Sequence, residues 1–579
     1  MNSEAINTGR NPDLVTTTIR IDGVELSNTF QLLHVTVHKE VNRIPMAKLI
    51  FSDGDVAARD FHVSNLPDLM PGNMLEIFAG YHSDESRIFK GIIIKHQIKV
   101  KASSSMLIVE CKDKAVKMTV GRKSNTFHDM RDSEAIESIL SNYALEHEVE
   151  SSPGIHKKLV HYHATDWDFM VSRAQSCGFL CFVSDGIVKV SKPETNQESL
   201  QKVTLGSTIL DFDAQMDARD QYQKVTAQTW DEELQELVEW EKTLENISLH
   251  GNFRNESLAA VIGLEKYELK NGANISDELL QAWSQGTMLF QELAKVRGRV
   301  KFQGIGSVLP NTCIELEGVG DRFSGKAWVS GVFHQIHEGN WTVDVQFGLN
   351  PEWFSESYPI HASAASGLLP AIKGLHIGVV SQLQSDDGDE KILVKIPIIT
   401  SADEGLWCRI ASLDAGKERG IFFRPEIGDE VVVGFLNEDP NQPIVLGSMH
   451  SASKPAPIEA DDSNHEKGIF TRENLKILFN DATKTIRIET PKGKQIILDE
   501  DENQLMLQDE HGNQLTMNSE GIQLTTDKDL KLKASGDLVL EGMNITVDAS
   551  AQAKLLGAGG AEISSSAATV VQGSIVQIN

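Results

Sequence analysis

A chain of 579 residues is long enough for three or more domains. Its 54 Lys and Arg stand against 83 Asp and Glu, a formal net charge of -29 that argues against nucleic acid, whose phosphates need cations, and favours a soluble assembly. Five cysteines (Cys111, Cys177, Cys181, Cys313 and Cys408) are too few and too scattered for a disulfide framework, which points to synthesis in a reducing compartment. Residues 1–20 are polar, with no apolar stretch of the kind a secretory signal needs, so the chain reads as made in the cytoplasm without a signal peptide. No run of apolar residues is long enough for a spanning helix.

Residues 1–370 read as a β-rich body with a few helices, in two subdomains. Strand patterns fall at 16–21, 30–38, 46–51, 74–79, 91–100 and 106–111. A helix follows Asp132, with Ile136, Ile139, Leu140 and Tyr143 on one stripe. A second is framed by Thr165 and Asp168, buries Trp167, Met170, Val171 and Ala174, and ends at Gly178. Asp185-Gly186 then turns a hairpin, and a third helix spans 276–297. Strands at 312–317, 327–337 and 341–347 follow, the last two joined by Glu338-Gly339-Asn340. Residues 355–372, small and polar with two prolines, read as a linker.

Residues 371–455 form an all-β unit with strand patterns at 377–383, 392–396, 407–411, 421–424, 430–436 and 444–449. Asp386-Asp387-Gly388-Asp389 and Asn437-Glu438-Asp439-Pro440 supply turns, and strands this short and numerous suit a small closed barrel of the OB type. A linker leads into the remainder, 456–579.

That remainder is a run of apolar couplets spaced by two: Ile486/Ile488, Ile496/Leu498, Leu505/Leu507, Leu515/Met517, Ile522/Leu524, Leu530/Leu532, Leu538/Leu540 and Ile545/Val547. Spacing of two sets both members on one face of a strand, and the turn residues between couplets leave no room for a helix. One couplet per strand is too thin a strip to bury a core in one chain. Three chains around one axis pair every strand with a neighbouring chain and bring the couplets together. The expectation is an intertwined trimeric β-helix, with Leu507, Met517, Leu524, Leu532, Leu540 and Val547 facing the axis. A single-chain β-solenoid is the alternative on repeat logic alone. After Lys554 the only charge is Glu562, and an apolar, small-residue end reads as a surface awaiting a cover, built around Ile563, Val571, Ile575 and Ile578.

No motif supports catalysis or a cofactor. His161-Tyr162-His163 sets two imidazoles on one strand face but lacks a third metal ligand. Cys177 and Cys181 lack zinc spacing and read as buried thiols, and Gly304-x-Gly306 and Gly318-x-Gly320 are turns without the third glycine of a dinucleotide site. Asp499-Glu500-Asp501-Glu502 lacks the glycine and alternation of a calcium loop. The aromatics Trp407, Phe422, Phe423 and Phe435 could stack bases, but their acidic surroundings favour core packing. Catalytic, cofactor and metal residues are therefore assigned as none.

Gly428-Asp429-Glu430-Val431-Val432-Val433-Gly434-Phe435, with Asp439-Pro440-Asn441-Gln442-Pro443 and Val445-Leu446-Gly447-Ser448, resembles the OB module of VgrG, the spike family of type VI secretion. Ala164-Thr165-Asp166-Trp167-Asp168-Phe169 resembles the hub motif that VgrG shares with phage tail hubs. Val296-Arg297-Gly298, the segment 317–323 and the segment 347–354 look like the Rhs-element Vgr subgroup, which includes spikes of extracellular phage-tail-like particles. The resemblance implies a homotrimeric, non-enzymatic spike at the tip of a contractile injection machine. Its partners would be inner-tube, hub and baseplate proteins, a PAAR-repeat tip protein and effector cargo, and it would meet the target membrane by mechanical puncture only. It would belong to a secreted or extracellular particle. A phage tail spike or lysin-type enzyme acting on envelope glycans is the rival reading.

Overall fold

The computed structural model describes residues 14–578 apart from 103, 246, 248, 250, 386 and 400–403. Most of the polar N-terminal stretch, together with Asp386 and Asn579, lies outside the described residues. The chain is mainly β with minor helices, and divides into two units, Met1–Ala371 and Ile372–Asn579.

Period-two alternation builds the sheet of the first unit. Val35, Val37 and Lys39 of Leu32–Glu40, and Ala47, Leu49 and Phe51 of Met46–Ser52, are all buried. Early strands hydrogen-bond late ones: Leu32–Glu40 pairs antiparallel with Gly325–His337, Val332 opposite Lys39. On one side of that junction the sheet runs through Met46–Ser52, Ser104–Lys112, Asp84–Lys101 and Met74–Tyr81 to Thr16–Ile21. On the other it runs through Asn340–Phe347 and Val296–Gln303 to Ile209–Met216. One core gathers around Phe51, Leu75, Phe89 and Trp341, another around Phe302, Leu316, Val343 and Phe347. Lys39, although inward, is paired: its Nζ donates to Ser184 Oγ at 3.0 Å and lies 3.3 Å from Asp185 Oδ1. Asp185 also accepts from Arg87 Nε at 3.0 Å, so this charge braces the sheet to the 184–187 turn.

Helices cover a second layer. In Asp132–Ser141 the Glu134 carboxylate accepts from the Arg131 N–H at 2.7 Å. Asp166–Ser176 is capped by Thr165, whose hydroxyl accepts from the Asp168 N–H at 3.1 Å, and Gly178 ends it at φ +74°. The expected Trp167, Met170, Val171 and Ala174 are its buried face. The third helix is Asp277–Ala294 and stops short of the expected Arg297. Val296 and Arg297 join a strand bonded on both sides, and that ladder overrides helical propensity. An additional helix, Asn255–Ile262, has no counterpart in the sequence reading. The third helix crosses the second where two glycines meet: a Cβ on Gly286 would lie 2.6 Å from Gly178 Cα. Only a pair without side chains permits this approach.

The expected linker at 355–372 is in part body. Phe354 is buried and stacks on Tyr358 at 4.7 Å, Tyr358 and Ile360 pack on the helical core, and Arg122 donates to the Ile360 carbonyl at 3.2 Å.

Near the end of the third helix, Glu292 is 3% exposed and its Oε1 accepts from the Glu245 N–H at 2.8 Å. Burial raises its pKa to about 7 against these backbone donors. A folded pKa above the unfolded value contributes stability that is complete below the unfolded value of 4.5 and lost as pH rises through about 7. Glu292→Gln keeps an acceptor and removes the titration. Between pH 5 and pH 8 the parent is expected to lose on the order of 2 kcal/mol more than the variant. Urea denaturation of both proteins at the two pH values checks this; parallel losses would refute it.

In the second unit, His376–Gln382, Lys391–Lys395, Leu406–Ile410, Pro443–Ser448 and Glu430–Phe435 close a five-stranded barrel around Val380, Ile392, Val394, Cys408, Val431 and Val433. The strand expected at 421–424 does not form. The chain leaves the barrel there through a small hairpin, Ala415–Gly416 with Arg419–Gly420. Parallel pairing of Leu406–Ile410 with Pro443–Ser448 closes the wall without it. Core packing is consequently wrong for two aromatics: Phe422 is 74% and Phe423 63% exposed.

Beyond the barrel, seven strands from Glu466–Phe470 to Gly521–Thr525 form an antiparallel meander in sequence order. The sequence reading expects these strands to pair with neighbouring chains; in this stretch they pair with their own neighbours instead. Turns such as 481–484 and 509–513 suffice for hairpins, with Asn480 and Asp509 side chains accepting backbone N–H groups. From 526 to 578 no described residue belongs to a strand, so the couplets Leu530/Leu532, Leu538/Leu540 and Ile545/Val547 lie outside any ladder of the single chain.

Candidate assembly surface

The meander register sets the couplets in two rows on one face. Ile469, Ile477, Ile488, Ile496, Leu507, Leu515 and Leu524 stand opposite one another from strand to strand, and beside them run Phe479, Ile486, Leu498, Leu505, Met517 and Ile522. The second row begins at Lys467, which is bonded to Asp481 at 2.5 Å. Leu507, Met517 and Leu524 therefore share one face, as the spacing of two requires. Two strands of that face, carrying Ile469 and the Ile477/Phe479 couplet, were missed; the same spacing, extended N-terminally, marks them.

Among the described residues of the single chain, much of this face is left exposed. Ile488 is 41%, Leu498 42%, Leu507 38%, Met517 39% and Leu524 54% exposed. The opposite face, apart from the end strands, is mostly polar and better filled: Ile497 is 7% exposed, between Arg487 and Met506 on the adjacent strands. Leu532, Leu540, Val547, Ile563, Val571, Ile575 and Ile578 are all at least half exposed, without strand partners. An apolar surface this continuous is what a protein interface presents before assembly.

The residues singled out for chemistry are not brought together. His161 is buried, stacked on Phe169 at 4.4 Å, with Nε2 3.1 Å from the Ala164 carbonyl. His163 sits beyond a register shift at φ +41° and is exposed, so the two imidazoles do not share a face. All five cysteines are free and buried, and burial pushes the Cys177 thiol up to about 12. Asp499 Oδ1 accepts from the Glu502 N–H at 2.9 Å, an ordinary turn. Among the described residues no group of three or more His, Cys, Asp or Glu is placed to hold a metal ion, and no helix is long and apolar enough to cross a membrane.

Residues 11–338 match the family described as the Alg8 N-terminal domain, and residues 376–450 match the type VI secretion system/phage-baseplate injector OB domain. The type VI secretion system spike protein VgrG4b of Pseudomonas aeruginosa is 37% identical over 102 residues, 17% of this chain and 12% of that protein. VgrG3 of Vibrio cholerae, also named a type VI spike protein, is 33% identical over 92 residues, 16% of this chain and 9% of that protein. These matches cover far less than two thirds of either relative's length. Among solved structures, the 43 kDa tail protein of prophage MuSo2 from Shewanella oneidensis aligns with 58% of this chain and 98% of its own, at 9% identity and a TM-score of 0.44. The first family spans more than half of the chain, and the protein belongs to the family of the Alg8 N-terminal domain; it carries an injector OB domain and is similar there to spike proteins of type VI secretion.

Proposed function

We propose that this protein is a non-enzymatic central spike and hub of a contractile injection machine, assembled as a homotrimer. The observation that carries the reading is the two-row apolar face of 466–525, left open in one chain directly after an injector OB domain. Three copies turned inward would remove that face from water, at roughly 25 cal/mol for each Å² of apolar surface buried. The strandless couplets of 526–578 support the same reading, because their missing partners are strands of the other two copies.

In this arrangement the β-rich body caps the inner tube and meets baseplate proteins, the barrels gather the three chains, and the needle transmits sheath force to the target envelope. Its interior is Leu507, Met517, Leu524, Leu532, Leu540 and Val547. The tip around Ile563, Val571, Ile575 and Ile578 docks a PAAR-type protein, and effectors travel with it. The work is mechanical and needs no cofactor. Light scattering of the purified protein is expected to give three times the 63.8 kDa chain mass. A stable, folded monomer would overturn the proposal.

A further inference from the structure

The barrel carries an apolar tongue that its own core does not take up. Between Leu406–Ile410 and Glu430–Phe435 the chain loops out, and Leu413, Phe422, Phe423 and Ile427 are all largely exposed. The loop is nonetheless held in shape. Ser412 Oγ donates to the Ile421 carbonyl at 2.7 Å, and the Ile421 N–H donates to the Asp414 carbonyl at 2.9 Å. Arg419 Nη1 lies 2.8 Å from Asp414 Oδ1. Arg424 donates from Nη1 to the Leu383 carbonyl at 2.6 Å, is bonded to Glu390, and sets its guanidinium 5.3 Å from the Phe422 ring centroid. Such a loop is pre-organised for docking: it is ordered within the chain already, so burying its rings contributes directly to affinity.

Its place in the second unit points to the partner. Glu426 Oε2, at the base of the tongue, accepts from Arg472 Nη1 at 3.0 Å. Arg472 belongs to the turn between Glu466–Phe470 and Lys476–Asn480, the first two strands of the meander. When three meanders turn their apolar faces to one axis, each meets its neighbours along its rows of turns, because the turns are the side margins of the sheet. The tongue is thus tied to a margin along which copies meet. A tongue on one copy and a different surface on the next make a head-to-tail contact, which three copies close into a ring.

We infer that Phe422 and Phe423 dock on the neighbouring copy of this chain, clasping the three barrels where the meander begins. The inference rests on the trimeric reading and adds to it an interface outside the couplet face.

Photo-crosslinking of the full-length protein tests it, with p-benzoylphenylalanine in place of Phe422 and, in a second preparation, in place of Phe423. Light scattering before irradiation reports whether each preparation is trimeric. Irradiation is expected to give covalent species of two and three chain masses, with the second chain's cross-linked peptides drawn from 372–525. Phe422→Ser combined with Phe423→Ser is expected to fold, since both rings are exposed in the single chain. It should raise about tenfold or more the protein concentration at which half the trimer dissociates in a fixed concentration of urea. Trimers that give only intrachain products, products outside 372–525, or none, from both positions would overturn the clasp and leave the trimer standing. An unchanged dissociation of the double variant would do the same. A folded monomer of the parent would overturn both readings together.

Discussion

Leu507→Asp is expected to dissociate the proposed trimer at pH 8. In the single chain Leu507 is 38% exposed, so an aspartate there would cost a monomer little. Around a three-fold axis the same change sets three carboxylates in one apolar layer between Ile496 and Leu515. Lost apolar transfer alone removes roughly 2 kcal/mol from each chain, hence about 6 kcal/mol per trimer, before any charge is desolvated. Mutual repulsion and burial would raise the pKa of the introduced carboxyls. Their neutral forms would therefore preserve assembly below the ordinary aspartate range, and assembly would be lost as pH rises through the raised value. Sedimentation at pH 4 and pH 8 reads this directly. A variant with the parent's trimer content and melting temperature at pH 8 would turn the face outward.

Asp132→Ala is expected to destabilise the helical layer of the first unit by about 2–3 kcal/mol, because it leaves the half-buried Arg173 cation without its carboxylate. Asp132 is 1% exposed and accepts from Arg173 Nε at 2.6 Å and Nη2 at 3.0 Å. His156 Nε2 lies 2.9 Å from it and the Cys177 thiol 3.4 Å. Burial alone would raise the Asp132 pKa, but the hydrogen bonds from His156 and Arg173 and the arginine charge outweigh it and hold the carboxyl well below its ordinary range. A depressed folded pKa contributes stability present above the ordinary value of 3.8 and lost as pH falls from there toward the folded value. The parent should thus lose stability on acidification over a range where Asp132→Ala does not. Double replacement with Asp132→Leu and Arg173→Met should recover much of the loss, since no charge is then left unpaired. Urea unfolding of the three proteins distinguishes this network from simple packing, under which the double variant would be the worst.

Local chemistry was enough to place much of this molecule from its sequence. The Thr165 cap, the buried stripe Trp167 to Ala174, the glycine stop at 178 and the barrel strands all follow from side chains within a few residues of one another, where propensity and patterning act directly. The couplet spacing likewise determined which face of the 466–525 meander is apolar, because the side-chain period of a strand is fixed by its backbone.

Tertiary structure decided what depends on partners distant in the chain. Pairing of Gly325–His337 with Leu32–Glu40, the charge between Lys39 and Asp185, and the close crossing of Gly178 and Gly286 join residues with no local sign of each other. The same long-range ladders stopped the third helix before Val296, and barrel closure elsewhere left Phe422 and Phe423 on the surface. Two-residue spacing says that a strand has an apolar side; whether its neighbour is the next hairpin or another chain depends on which turns close, and for 466–525 they close within the chain. Buried atoms without a hydrogen bond, such as Gln291 Oε1 and Arg297 Nε, were illegible for a related reason: an unmet hydrogen bond exists only once the surrounding fold has excluded water.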